Sequence, residues 1–168
     1  MVAYSPKADL LNLGLHRHLT NKGKSVFGLF KKKEANRPAP STNENIIDKA
    51  VVLLDLQLTL CRSQDGYLSS LDSKPVRGYL VGFFDCALQK LGHPVRSDEE
   101  FAMLLVHGHS QLLSSDLGDT QRYTFASLRL QDDSDFARGQ AEGGNECDGM
   151  LTGKTTRALG LARYFMQD

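Results

Sequence analysis

The sequence predicts an all-α domain of about five helices in a compact bundle, behind a flexible basic N-terminal arm. Three observations predict it. Between residues 46 and 168, apolar side chains recur at the three- and four-residue spacing of a half-buried helix. Helix start and stop signals punctuate that pattern. Charge divides unevenly: residues 1–45 hold eight basic and three acidic side chains, and residues 46–168 hold twelve basic and seventeen acidic ones. The stretch RPAPSTN closes the arm, so the domain is placed at 46–168.

Within the arm, two short apolar clusters stand out. ADLLNLGLHRHL supplies Leu10, Leu11 and Leu13, and SVFGLFKKK sets Phe27 and Phe30 beside Lys31, Lys32 and Lys33. Helices this short are marginal alone in water, so the arm is expected to be largely flexible. Phe27, Phe30 and the lysine run suit a protein groove or an anionic membrane surface, where apolar insertion and charge attraction act together. The arm lacks the arginine-rich, aromatic-interleaved face of a nucleic-acid binder, and the order of segments of a signal peptide.

The first helix is predicted over 43–62, with Ser41 and Glu44 as a capping box. Ile47, Ala50, Val51, Leu54, Leu58 and Cys61 share one face. Leu53, Leu56 and Leu60 line another, so this helix is expected to be central and widely buried, with a homodimer interface as one use of the second face. Its rival is a strand, because Leu54, Leu56, Leu58 and Leu60 alternate with polar residues; leucine favours helix. The second helix, 73–91, opens on Ser73 or Asp72 with Pro75 in its first turn. It stops at LGHP, with Gly92 expected in the left-handed conformation. The third restarts at the capping box Ser97–Glu100, with Phe101, Leu104, Leu105, Leu112 and Leu113 as its face. So short a connection predicts that the second and third helices form an antiparallel hairpin. The fourth is placed at 119–140, and Gly139, Gly143, Gly144 and Gly149 then loosen the chain. The fifth is placed at 154–166.

Cys61, Cys86 and Cys147 are odd in number and widely spaced, with no CxxC pair. That points to idle thiols in a reducing, cytoplasmic setting rather than a disulfide framework. No apolar run reaches the length of a membrane-spanning helix.

Catalytic patterns are incomplete. GMLTGKTT resembles a phosphate-binding P-loop, but Gly149 is one residue too close to Gly153, and the carboxylate of Asp148 takes the required glycine's place. Its plainer reading is a helix N-terminus capped by Thr152. VVLLDLQLTL resembles the first motif of haloacid-dehalogenase-like phosphatases. That resemblance would make Asp55 the nucleophile and Thr59 the motif threonine, with Ser110 and the pair Asp132–Asp133 as later motifs. Gln57 stands where that family has its acid/base aspartate, and an amide cannot give up the proton. His107 and His109 lie two apart, so on a helix they diverge and cannot share one metal. No cofactor motif is complete.

The expected function is therefore non-catalytic: a small adaptor, regulator or inhibitor that binds another protein. Its expected contacts are the basic arm (Phe27, Phe30, Lys31, Lys32, Lys33) and an acidic segment beginning Asp132, Asp133 and Asp135. Residues 131–148 hold six acids and one base. The alternatives are a phosphohydrolase using Asp55 and peripheral membrane binding through residues 25–33.

Overall fold

A computed structural model of the chain describes residues 42–166. Phe27, Phe30, Lys31, Lys32 and Lys33 lie outside the described residues. Among the described residues seven helices follow one another: α1 (Thr42–Thr59), α2 (Tyr67–Leu71), α3 (Lys74–Leu91), α4 (Asp98–Leu113), α5 (Thr120–Leu128), α6 (Ser134–Leu151) and α7 (Gly160–Arg163). There is no strand among the described residues, and no helix long and apolar enough to cross a membrane.

The core is built on the face of α1 that the spacing predicts. Ile47, Ala50, Leu54, Leu58 and Cys61 are buried against Leu80, Phe83 and Phe84 of α3 and Leu105 and Leu112 of α4. The opposite face does not follow the expectation of wide burial. Val52, Leu56 and Leu60 are 44%, 63% and 52% exposed. Helices α3, α4 and α7 pack on α1, and among the described residues none covers the outer stripe.

The expected α3–α4 hairpin is only partly what the chain builds. Helix α4 does turn back after a short connection, and Phe84 meets His109 edge-on at 5.7 Å. Its main neighbours, however, are α1 and α5. The intimate partner of α3 is α6, from far along the chain. The two run parallel: Lys74 pairs with Asp133 at their start, and Lys90 with Asp148 towards their end.

Glycines cause this choice. A methyl group placed on Gly78 would lie 2.1 Å from the Phe136 carbonyl oxygen, and one on Gly82 would lie 2.0 Å from that of Gln140. From the other side, Gly139 and Gly143 press on the Pro75 and Tyr79 carbonyls at 2.0 and 2.1 Å by the same measure. The backbones are therefore in contact, closer than the ~8–10 Å axis separation of ordinary helix packing. The leucine-rich face of α4 could not approach so far.

The same glycines correct the expected end of the fourth helix. The 119–140 stretch is two helices, because Asp133 caps a new one by accepting hydrogen bonds from the amides of Asp135 and Phe136 at 3.0 and 3.2 Å. That new helix runs on through Gly139, Gly143, Gly144 and Gly149. Contact with α3 at Gly139 and Gly143 offsets their poor helix propensity of about 1 kcal/mol each. The expected fifth helix shrinks to the short α7, and α2 is an unforeseen turn of helix after Gly66 (φ 75°). Gly92 is extended (φ −89°) rather than left-handed. Space fixes it instead, since a methyl there would meet the Leu88 carbonyl oxygen at 2.5 Å. The Ser97 cap forms as expected, its hydroxyl accepting from the Glu100 amide at 3.2 Å.

Candidate interaction surface

Chemistry in the residues singled out is dispersed. Asp55, the nucleophile under the phosphatase resemblance, lies on helix α1 rather than at the end of a strand. It accepts a hydrogen bond from Arg62 at 2.8 Å. Arg62 also binds Asp116, which accepts from the Tyr67 hydroxyl at 3.2 Å. This network ties α1 to α2 and to the end of α4. Ser110 is engaged with Thr120 at 2.9 Å, and Asp132 sits in the turn ahead of α6. With Asp55 on a helix, the strand on which the phosphatase resemblance rests is not formed.

The P-loop-like segment is a helix C-terminus. Thr152 is the C-cap of α6, Gly153 adopts φ 74°, and the Thr155 amide donates back to the Gly149 carbonyl at 2.9 Å. The expected N-terminal cap at Thr152 is thereby corrected. A helix C-terminus presents carbonyl oxygens and the negative end of the helix dipole, which repel phosphate.

The two histidines diverge as the helical spacing requires. His107 reaches the surface, 2.8 Å from Asp48. His109 is wholly buried, edge-on to Tyr123 at 5.3 Å. The Thr124 hydroxyl donates to the Thr120 carbonyl, so His109 Nδ1 carries the proton and donates to Thr124 Oγ1 at 2.8 Å. Nε2 is left unprotonated with no partner. Burial, with the positive Arg77 nearby as a smaller cause, pulls its pKa down to about 3. The unfolded value is near 6.5. A lowered histidine pKa means that the unfolded chain takes up the proton first. The contribution is therefore complete above pH ~6.5 and is lost as pH falls from there towards 3, at about 1.4 kcal/mol per unit. Urea melts at pH 7 and pH 5 should differ by about 2 kcal/mol from this group. His109→Gln should flatten that difference; an unchanged slope would place the acid sensitivity elsewhere.

The acidic segment turns out to be mostly engaged within the fold. Asp133 caps α6 and pairs with Lys74 at 2.7 Å, and Asp135 pairs with Arg138 at 3.1 Å. Glu142 accepts from the Tyr164 hydroxyl at 2.5 Å, and Asp148 pairs with Lys90 at 2.9 Å. Glu146 accepts from the amides of Leu159 and Gly160 at 2.8 and 2.9 Å, which holds α7 in place. Lys74 and Lys90 in turn hold the Asp133 and Asp148 carboxyls below the usual carboxylate range through those hydrogen bonds. Asp132 is exposed. Sequence reasoning could count these carboxylates but not see their partners, which are scattered from residue 74 to 164.

Among the described residues, the outer face of α1 is left open. Val52, Leu56 and Leu60 follow one another at four-residue spacing, one per helical turn, and so form a continuous apolar stripe. Lys49 continues it one turn earlier and is also exposed. Among the described residues, no group of three histidines, cysteines or carboxylates is placed to hold a metal ion. No protein-family model, curated protein or solved structure matches the chain.

Proposed function

We propose that the chain is a non-catalytic protein-interaction module that receives an amphipathic helix of another protein on the outer face of α1. The exposed Val52–Leu56–Leu60 stripe carries this reading. Large apolar side chains aligned along one helix gain most by burial against a second helix, whose side chains fit between their turns. The inner face of α1 already fills the core, so the stripe is surplus to the fold. Lys49 at its end favours a partner with an acidic residue beside its apolar stripe. The arm's excess of basic side chains would speed encounter with such a partner.

Leu56→Asp tests the proposal. The side chain is exposed, so thermal unfolding should be unchanged within about 0.5 kcal/mol. Affinity for a partner captured by the full chain and then purified should fall by at least about 30-fold, the loss expected of a central anchor. Undiminished binding by the variant would move the interface elsewhere. Concentration-dependent dimerisation abolished by Leu56→Asp would identify the occupant as a second copy. Binding only to anionic vesicles, and unaffected by the variant, would favour the membrane reading instead.

A further inference from the structure

Cys86 and Cys147 are far apart in sequence but lie on the two helices that approach most closely. Cys86 follows Gly82 by one turn of α3 and precedes Lys90 by another. Cys147 sits between Gly143 and Asp148 on α6. The Gly82–Gln140 backbone contact on one side and the Lys90–Asp148 ion pair at 2.9 Å on the other fix the register between them. In that register the two thiols face one another across the helix contact, each close enough to perturb the other. A disulfide requires Cα atoms roughly 4.4–6.8 Å apart, and the backbone contacts at Gly82 and Gly143, one turn away, draw the two helices towards that range. Cys61 stands apart, buried and donating to the Gln57 carbonyl at 3.3 Å.

We infer that Cys86 and Cys147 are a disulfide-forming pair whose oxidation staples α3 to α6. The oxidant is a small-molecule disulfide of the glutathione class. Cys86 is the more accessible thiol and Cys147 is buried, so Cys86 reacts first. Its thiolate attacks one sulfur of the small disulfide, forming a mixed disulfide and releasing one small thiol. Cys147 then gives up its proton and attacks the Cys86 sulfur, expelling the second small thiol. Two protein thiols are oxidised to one disulfide, and one small disulfide is reduced to two thiols. Burial raises both thiol pKa values, so the reaction is slow at neutral pH and should quicken about tenfold per pH unit.

The experiment incubates the purified full chain with oxidised glutathione at pH 7 and pH 8. Expected are loss of two of the three free thiols, an intact mass lower by two hydrogens, and a digest containing one peptide pair joined through Cys86 and Cys147. Oxidised chain should melt several degrees above reduced chain, and Cys86→Ser should erase both the cross-link and the shift. Cys61→Ala should leave the cross-link intact. A glutathione adduct that persists on Cys86 without closing, or a cross-link through Cys61, would overturn the assignment. If Cys147→Ser fails to fold, the wild-type digest still decides.

Discussion

Gly82→Ala should destabilise the chain by about 2–4 kcal/mol, although alanine is the better helix former by about 1 kcal/mol. The added methyl would sit 2.0 Å from the Gln140 carbonyl oxygen and 2.7 Å from its carbon. Both are backbone atoms, so no side chain can rotate away and α3 must part from α6. Overpacking a rigid contact costs about 1–3 kcal/mol or more, and separation also loosens Phe136 and Val76, which are fully buried. Gly144→Ala is the internal control. Its methyl would meet only the Gly82 carbonyl oxygen, at 3.5 Å, which is ordinary contact. That variant should be neutral or stabilising by up to about 1 kcal/mol. Chemical denaturation of the pair separates the two effects; equal midpoints would dispose of the backbone contact between α3 and α6.

Arg77→Ala should cost about 2–4 kcal/mol. The guanidinium is buried among α2, α3 and α5. Nε donates to the Asp72 carbonyl at 3.0 Å, and Nη1 donates to the Tyr123 carbonyl and the Ser127 hydroxyl at 3.0 Å each. Its Cζ lies over the Tyr123 ring, 4.1 Å from the ring centre. The ion pair with Asp72 is the lesser part, because that carboxylate is exposed and rehydrates when released. The larger losses are the buried hydrogen bonds, the ring contact and the space left behind. Tyr123 stays anchored by its hydroxyl to the Leu71 carbonyl at 2.8 Å, so the damage should remain local. Arg77→Lys keeps the charge but not the planar fork, and should recover less than half of the loss. Thermal melts that put the lysine variant level with the parent would reduce Arg77 to a point charge.

Much of this fold is legible in residues with a local job. The spacing of Ile47, Leu54 and Leu58 sets the inner face of α1, and Ser97 with Glu100 marks the start of α4. The strand reading of Leu54–Leu60 fails on the preference of leucine for helix and on the buried neighbours that Ala50 and Cys61 acquire. What stays hidden depends on contacts distant in sequence. Gly139 and Gly143 read locally as helix-loosening, yet they hold α6 against α3. Asp133 reads as part of an acidic stripe and proves to be a cap that splits one expected helix in two. The candidate surface was half visible: the sequence shows a second apolar face on α1, but only the packing of α3, α4 and α7 shows which part of it the described residues leave exposed.

The parallel pairing of α3 with α6 has a consequence for how the chain is made. Segment 134–151, with its glycines, has little helicity of its own and needs the surface of α3 as a template. During translation that surface leaves the ribosome dozens of residues before its mate. Until the mate follows, the face of α3 at Pro75, Gly78, Tyr79 and Gly82 lacks its cover, and the nascent chain is most exposed to chaperones and to mispairing with a neighbouring polysome product.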